Sequence, residues 1–189
     1  MDIEKLVVDL SKDPFNPKLN FKCAQEYDRL GQTASAVSFY LRTAEYGYES
    51  DKGIAYESLL RTSMCFDDQT DRKHTVTNCI LQAVALDPER PEGYFLMSRY
   101  YERAAEWQEC YTWANMGLTK KDTGMNYLLD YPGFLGLTFE KAVAGWWIGR
   151  KDESRRLFNA LLIEGVPANY EQTIRWNLGL IGSDEQTTD

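Results

Sequence analysis

Residues Asn16–Glu45 read NPKLNFKCAQEYDRLGQTASAVSFYLRTAE, and they decide the fold. Counted from Pro17, the residues Ala24, Tyr27, Gly31, Ala36 and Tyr40 fall at offsets of 7, 10, 14, 19 and 23. The stretch Pro91–Leu118, PEGYFLMSRYYERAAEWQECYTWANMGL, places Ser98, Tyr101, Ala105, Cys110 and Ala114 at the same offsets from Pro91. Small side chains at fixed places let two antiparallel helices approach closely, and the aromatic between them fills the remaining space. Asn16 suits the N-cap, Pro17 the first helical position, and Gly31 the turn between the two helices. The unit is therefore a helix–turn–helix hairpin that recurs along the chain.

Reading outward, Ile3, Leu6, Val7 and Leu10 form an i, i+3, i+4, i+7 stripe and predict an N-terminal helix over residues 1–12. Repeats are expected over 16–48, 50–88, 90–118 and 133–163. Gly47 is expected to end its helix in a left-handed C′ conformation, and Ser50 or Asp51 to cap the next. The turn Asp67–Arg72 is longer than the other hairpin turns, and Thr119–Pro132 breaks the register. In the fourth pair Ala142, Ser154 and Phe158 continue the ladder around a turn at Gly149. A capping helix is expected over 167–181, closed by Gly182, followed by an unstructured acidic tail over 183–189.

This ladder resembles the tetratricopeptide repeat, a helix–turn–helix unit of about 34 residues. The resemblance implies an all-α fold: a right-handed α-solenoid of about four TPR-like repeats in a single domain over 1–182, with capping helices at both ends. It also implies a binding scaffold, not an enzyme. In such repeats the first helix of each pair lines the concave face. Aligning the pairs puts Gln25, Arg61, Arg99 and Val143 in one row. Phe21, Glu57, Phe95 and Phe139 lie one turn earlier, and Arg29, Cys65, Arg103 and Trp147 one turn later. Phe21, Gln25, Arg29, Arg61, Phe95, Arg99, Arg103, Phe139 and Trp147 are thus the candidate residues of a groove for a protein or peptide partner. Guanidinium forks suit carboxylate or phosphate, and aromatic faces suit flat or sugar-like surfaces. The alternative is that the arginines pair with neighbouring carboxylates and the aromatics belong to the core. The best-known clamp of this family grips a terminal carboxylate with lysine, asparagine and arginine. Its first-repeat positions are Phe21 and Gln25 here, so that function is not implied.

Composition sets bounds on partners. A net charge of −8 argues against nonspecific nucleic-acid binding, which needs a basic face, and against anionic membrane surfaces. No apolar run approaches the length of a membrane span, and Asp2 and Glu4 stand where a signal peptide would be basic, so a cytoplasmic location is expected. Cys23, Cys65, Cys79 and Cys110 show no C-x-x-C spacing and read as reduced packing residues, with no zinc site. His74 is the single histidine, which leaves no triad. Asp67, Asp68 and Asp71 lack the glycine and distal glutamate of a calcium loop, and Glu102 with Glu106 reads as a solubilising pair. No nucleotide-binding motif is present, and no cofactor is expected.

A second resemblance rests on longer phrases. NPKLNFKCAQEYDRLGQTASAVSFYLRTAEYGYESD, AYESLLRTSMCF, LDPERPEGYFLMSRYYERAAEWQECYTWANMGL, LDYPGFLGLTFEKAVAGWWIGRKDESRRLFNALL and VPANYEQTIRWNLGLI are similar to the helical repeat region of nucleotide-sugar glycosyltransferases. The chain lacks the βαβ catalytic domain and D-x-D metal motif of those enzymes. The resemblance therefore implies an accessory module of glycan assembly whose partner is a glycosyltransferase or a saccharide.

Overall fold

The computed structural model describes residues 3–69, 72–121 and 131–185, with side chains given up to Leu180. Ten α-helices and no strand occur among these residues. The sequence reads as one array over 1–182; the helices group into two compact units, the first ending at Glu89 and the second beginning at Arg90.

The first unit holds α1 (Ile3–Lys12), α2 (Pro17–Arg29), α3 (Thr33–Gly47), α4 (Lys52–Asp67) and α5 (Lys73–Leu86). Each helix packs on the next, and α4 also reaches back to α2. Caps set the starts: the Leu19 N–H donates to Asn16 Oδ1 at 3.1 Å, and the Ile54 N–H to Asp51 Oδ1 at 3.3 Å. Asp51, not Ser50, is therefore the cap of α4. Leu6 and Leu10 of α1 pack with Cys23 of α2, while Val7 stays 42% exposed at the edge of the stripe. The central cluster joins Phe21, Ala24, Ala36, Tyr40 and Cys65. Ala24, Ala36 and Tyr40 are fully buried, as the ladder requires.

The second unit holds α6 (Glu92–Arg103), α7 (Trp107–Gly117), α8 (Phe134–Trp147), α9 (Lys151–Glu164) and α10 (Ala168–Glu185). Neighbours again pack in order, and α8 reaches back to α6. Ala142, Phe158, Leu161 and Ile174 form the cluster that joins α8, α9 and α10. The ladder positions mark the closest approach: the buried Ser154 hydroxyl donates to the Ala142 carbonyl at 2.6 Å. Two glycines are fixed by space. A Cβ on Gly136 would lie 2.5 Å from Pro132 Cγ and 2.7 Å from Phe95 Cε2, and one on Gly117 2.8 Å from Leu137 Cδ2.

Three hairpin turns share one backbone solution. In the first, the Gln32 N–H bonds the Tyr27 carbonyl and the Gly31 N–H bonds the Asp28 carbonyl, both at 2.9 Å. The same pair of bonds recurs at Ala105–Glu106 and at Gly149–Arg150. This double closure satisfies carbonyls at the helix end and requires a left-handed residue. Gly31 (φ 70°) and Gly149 (φ 85°) supply it without a side chain; Ala105 supplies it at φ 56°.

Two expectations about glycine are corrected. Gly47 is the last residue of α3 and is not left-handed; a Cβ there would come within 3.2 Å of Ile54 Cγ2, so glycine serves the close approach of α3 and α4. Gly182 does not end the last helix, because α10 runs on to Glu185 and takes in the first residues of the acidic stretch. Residues 186–189, two residues of the Asp67–Arg72 turn and residues 122–130 of the register break lie outside the described residues.

Candidate functional site

In the first unit the candidate arginines are matched by carboxylates one turn earlier. Arg29 Nη2 donates to Glu26 Oε1 at 2.6 Å, and this hydrogen bond holds the Glu26 carboxyl below its ordinary range. Arg61 Nε donates to Glu57 Oε1 at 2.7 Å, with both side chains largely buried, and its guanidinium lies 5.9 Å from the Phe21 ring centre. Phe21 itself is a core residue at 9% exposure, and Gln25 is half-buried. Below this layer the Tyr40 hydroxyl donates to Asp28 at 3.0 Å, and burial first, then Asp28, raises its pKa. A separate apolar cleft of about 430 Å³ lies between α3, α4 and α5, walled by Leu41, Tyr48 and Leu86 among others.

The second unit is built differently. At the position where α4 carries Glu57, α6 carries Phe95, so Arg99 has no carboxylate one turn earlier. Arg99 makes no ion pair among the described residues, and its guanidinium lies 5.7 Å from the Phe95 ring centre. Phe95 is buried at 1% exposure and packs on Tyr131 at 5.3 Å, so it supports the site from within the core. Arg99 and Phe139 together line a cleft of about 640 Å³. Glu102 of α6, Glu140 of α8, Asn169, Tyr170 and Thr173 of α10, and Tyr131 and Pro132 complete the lining. Phe139 meets Tyr170 edge-on at 5.0 Å and Phe158 at 6.0 Å, which fixes the aromatic wall. Arg103 is exposed at the end of α6, and Trp147 is 61% exposed. Trp147 stacks on Trp107 at 5.2 Å with an interplanar angle of 14° and takes no part in the cleft lining.

The cleft's chemistry centres on Glu140. It is 5% exposed, and its Oε2 has no hydrogen-bond partner. Burial first, then the charge of Glu102, pushes its carboxyl up to about 8, while Arg99 and Arg103 pull it back. The Tyr170 hydroxyl is raised by burial and by Glu140. Sequence reasoning missed Glu140 and read Glu102 as solubilising. The available signal was compositional: α8 is FLGLTFEKAVAGWW, in which Glu140 is the one carboxylate of a largely apolar helix. No group of three or more His, Cys, Asp or Glu side chains is placed to hold a metal among the described residues. All four cysteines are buried and free. Burial pushes the Cys65 thiol up to about 12, with Asp28 adding to it, and raises the other three as well.

Comparison with solved structures shows the fold. A crystal structure of MamA aligns with a TM-score of 0.65 at 18% identity, covering 90% of this chain and 87% of that one. A second crystal structure of the MamA protein gives 0.62 at 18% identity, covering 83% and 77%. TTC0263, a thermophilic TPR protein in Thermus thermophilus, gives 0.57 at 16% identity, covering 95% and 89%. The chain has a TPR-like helical-repeat fold. No protein-family model matches it, and no curated protein matches it. No helix among the described residues is long and apolar enough to cross a membrane.

Proposed function

We propose that the chain is a non-catalytic interaction scaffold that binds a protein or peptide partner, with the cleft beneath Arg99 and Phe139 as a contact site. The TPR-like fold supports the scaffold reading, because hairpin repeats expose long helix faces and arrange few groups for chemistry. One observation carries the choice of site. Arg29 and Arg61 are already engaged by Glu26 and Glu57, whereas Arg99 lines an open cleft without a carboxylate of its own. Its forked donors suit a carboxylate or a backbone carbonyl of the partner, and Phe139 offers an apolar anchor beside it.

A second reading, an accessory module of glycan assembly, draws on the phrase similarity and on the ring faces of Phe139 and Tyr170, against which a sugar can stack. The buried free thiols suit a reducing, cytoplasmic setting for either reading. The test is affinity capture with the tagged chain, followed by titration of each stoichiometric partner against Arg99→Glu. The expected loss is roughly tenfold or more for a partner that sets a carboxylate or carbonyl on Arg99, since the variant removes the forked donors that hold it. Unchanged affinity removes the cleft from the interface, and capture of a glycosyltransferase or selective saccharide binding selects the second reading.

A further inference from the structure

We propose that the cleft of the second unit is a seat for a cationic side chain, the ammonium or guanidinium of a basic partner segment, received by Glu140 and Glu102 between Phe139 and Tyr170. The partner's being a polypeptide rests on the scaffold reading; the seat itself rests on the cleft. Glu140 forms part of the cleft wall, is 5% exposed and leaves Oε2 without a partner. A buried acceptor left open carries a desolvation cost that a donating ligand removes. The adjacent cation does not serve it: Lys141 turns the other way, to Asn115 at 2.8 Å and Glu153 at 3.1 Å.

The charges acting on Glu140 come from α6: Glu102 opposes its ionisation, and Arg99 and Arg103 favour it. From α7 the Cys110 thiol, and from α10 the Tyr170 hydroxyl, feel its charge. Burial and Glu102 outweigh the arginines, so the carboxyl holds its proton at neutral pH. A cation set between Glu102 and Glu140 cancels the repulsion of Glu102 and offsets the cost of burying the Glu140 carboxylate. The proton leaves Glu140 for solvent as the cation enters, so binding strengthens with pH. Phe139 and Tyr170 supply ring faces that attract such a charge. Arg99 is the opposing influence, and its guanidinium is held over Phe95. The net charge of −8 draws basic partners toward the chain as a whole.

The test uses the full chain, ¹⁵N-labelled, titrated with Nα-acetyl-arginine amide, Nα-acetyl-lysine amide and Nα-acetyl-glutamic acid amide. The basic probes should shift backbone signals around Glu140 and Thr173 and bind several-fold more tightly near pH 8.5 than near pH 6.5, with proton release measured by calorimetry in two buffers. Glu140→Gln should lose roughly tenfold in affinity together with the pH dependence, and Glu102→Gln should lose less. Arg99→Gln should tighten the basic probes, because it removes the like charge. Basic probes that leave the cleft signals unmoved, or that bind Glu140→Gln equally well, overturn the proposal. Preference for the glutamic acid probe overturns it too and makes the cleft an anion site. If Arg99→Glu loses a protein partner while the basic probes fail, the scaffold reading stands and the cation seat falls. Basic probes that bind as expected while no partner responds to Arg99→Glu give the reverse.

Discussion

Replacing Ala105 by glycine should stabilise the protein. Ala105 sits at φ 56°, in the left-handed position that closes the turn between α6 and α7, where the two other hairpins of the same geometry use Gly31 and Gly149. A left-handed L-residue costs about 1–2 kcal/mol against its Cβ. Glycine removes that strain and returns about 0.4–1 kcal/mol of it through the greater freedom of the unfolded chain. The net gain is about 0.5–1 kcal/mol, or roughly 1–4 °C in Tm for a chain of this size. Gly31→Ala and Gly149→Ala are the mirror experiments. Their added Cβ atoms meet nothing within 4 Å, so the backbone angle alone decides, and each should destabilise by about the same amount. Urea denaturation followed by circular dichroism reads all three, and the double variant Gly31→Ala/Ala105→Gly should restore nearly the starting stability. A destabilised Ala105→Gly, or a neutral Gly31→Ala, would refute the assignment of these turns.

Three further outcomes are expected. Gly136→Ala and Gly117→Ala should each cost about 1–3 kcal/mol in the same assay, since the new methyl enters space held by Pro132, Phe95 and Leu137. Glu140 binds its proton more tightly folded (about 8) than unfolded (ordinary value 4.5), so the folded state holds more protons across that interval. Stability should therefore fall as pH rises from about 4.5 through about 8, and Glu140→Gln should flatten this part of the profile in melts across the range. The four thiols should resist a disulfide reagent in the folded protein and react together on unfolding, because each is buried and none is poised as a thiolate. Rapid labelling of Cys65 under native conditions would contradict its packing beside Phe21 and Tyr40.

The helix order was legible because the ladder encodes distance. Ala24, Ala36 and Ala142 are completely buried, and only small residues allow backbones so close. Gly47 was misread because a glycine near a helix end has two uses, and the sequence does not distinguish a left-handed stop from a tight contact with Ile54. Gly182 was misread because α10 continues through it, although glycine is a poor helix former. The arginine rows were legible as positions, but not as states. Whether an arginine is engaged depends on the residue one turn earlier, which is Glu57 for Arg61 and Phe95 for Arg99. Glu140 was illegible to a row-by-row reading because its burial comes from α6 and α10 closing around α8, a long-range effect that no local spacing carries.

The indole pair of Trp107 and Trp147 gives the second unit a built-in optical marker. Two rings lying nearly face to face at 5.2 Å couple their electronic transitions, and they do so only while the start of α7 and the end of α8 remain docked. The resulting couplet in the ultraviolet spectrum reports on the junction between α7 and α8. The detachment of α8 from α7 can thus be followed separately from the loss of helix, without attaching a dye.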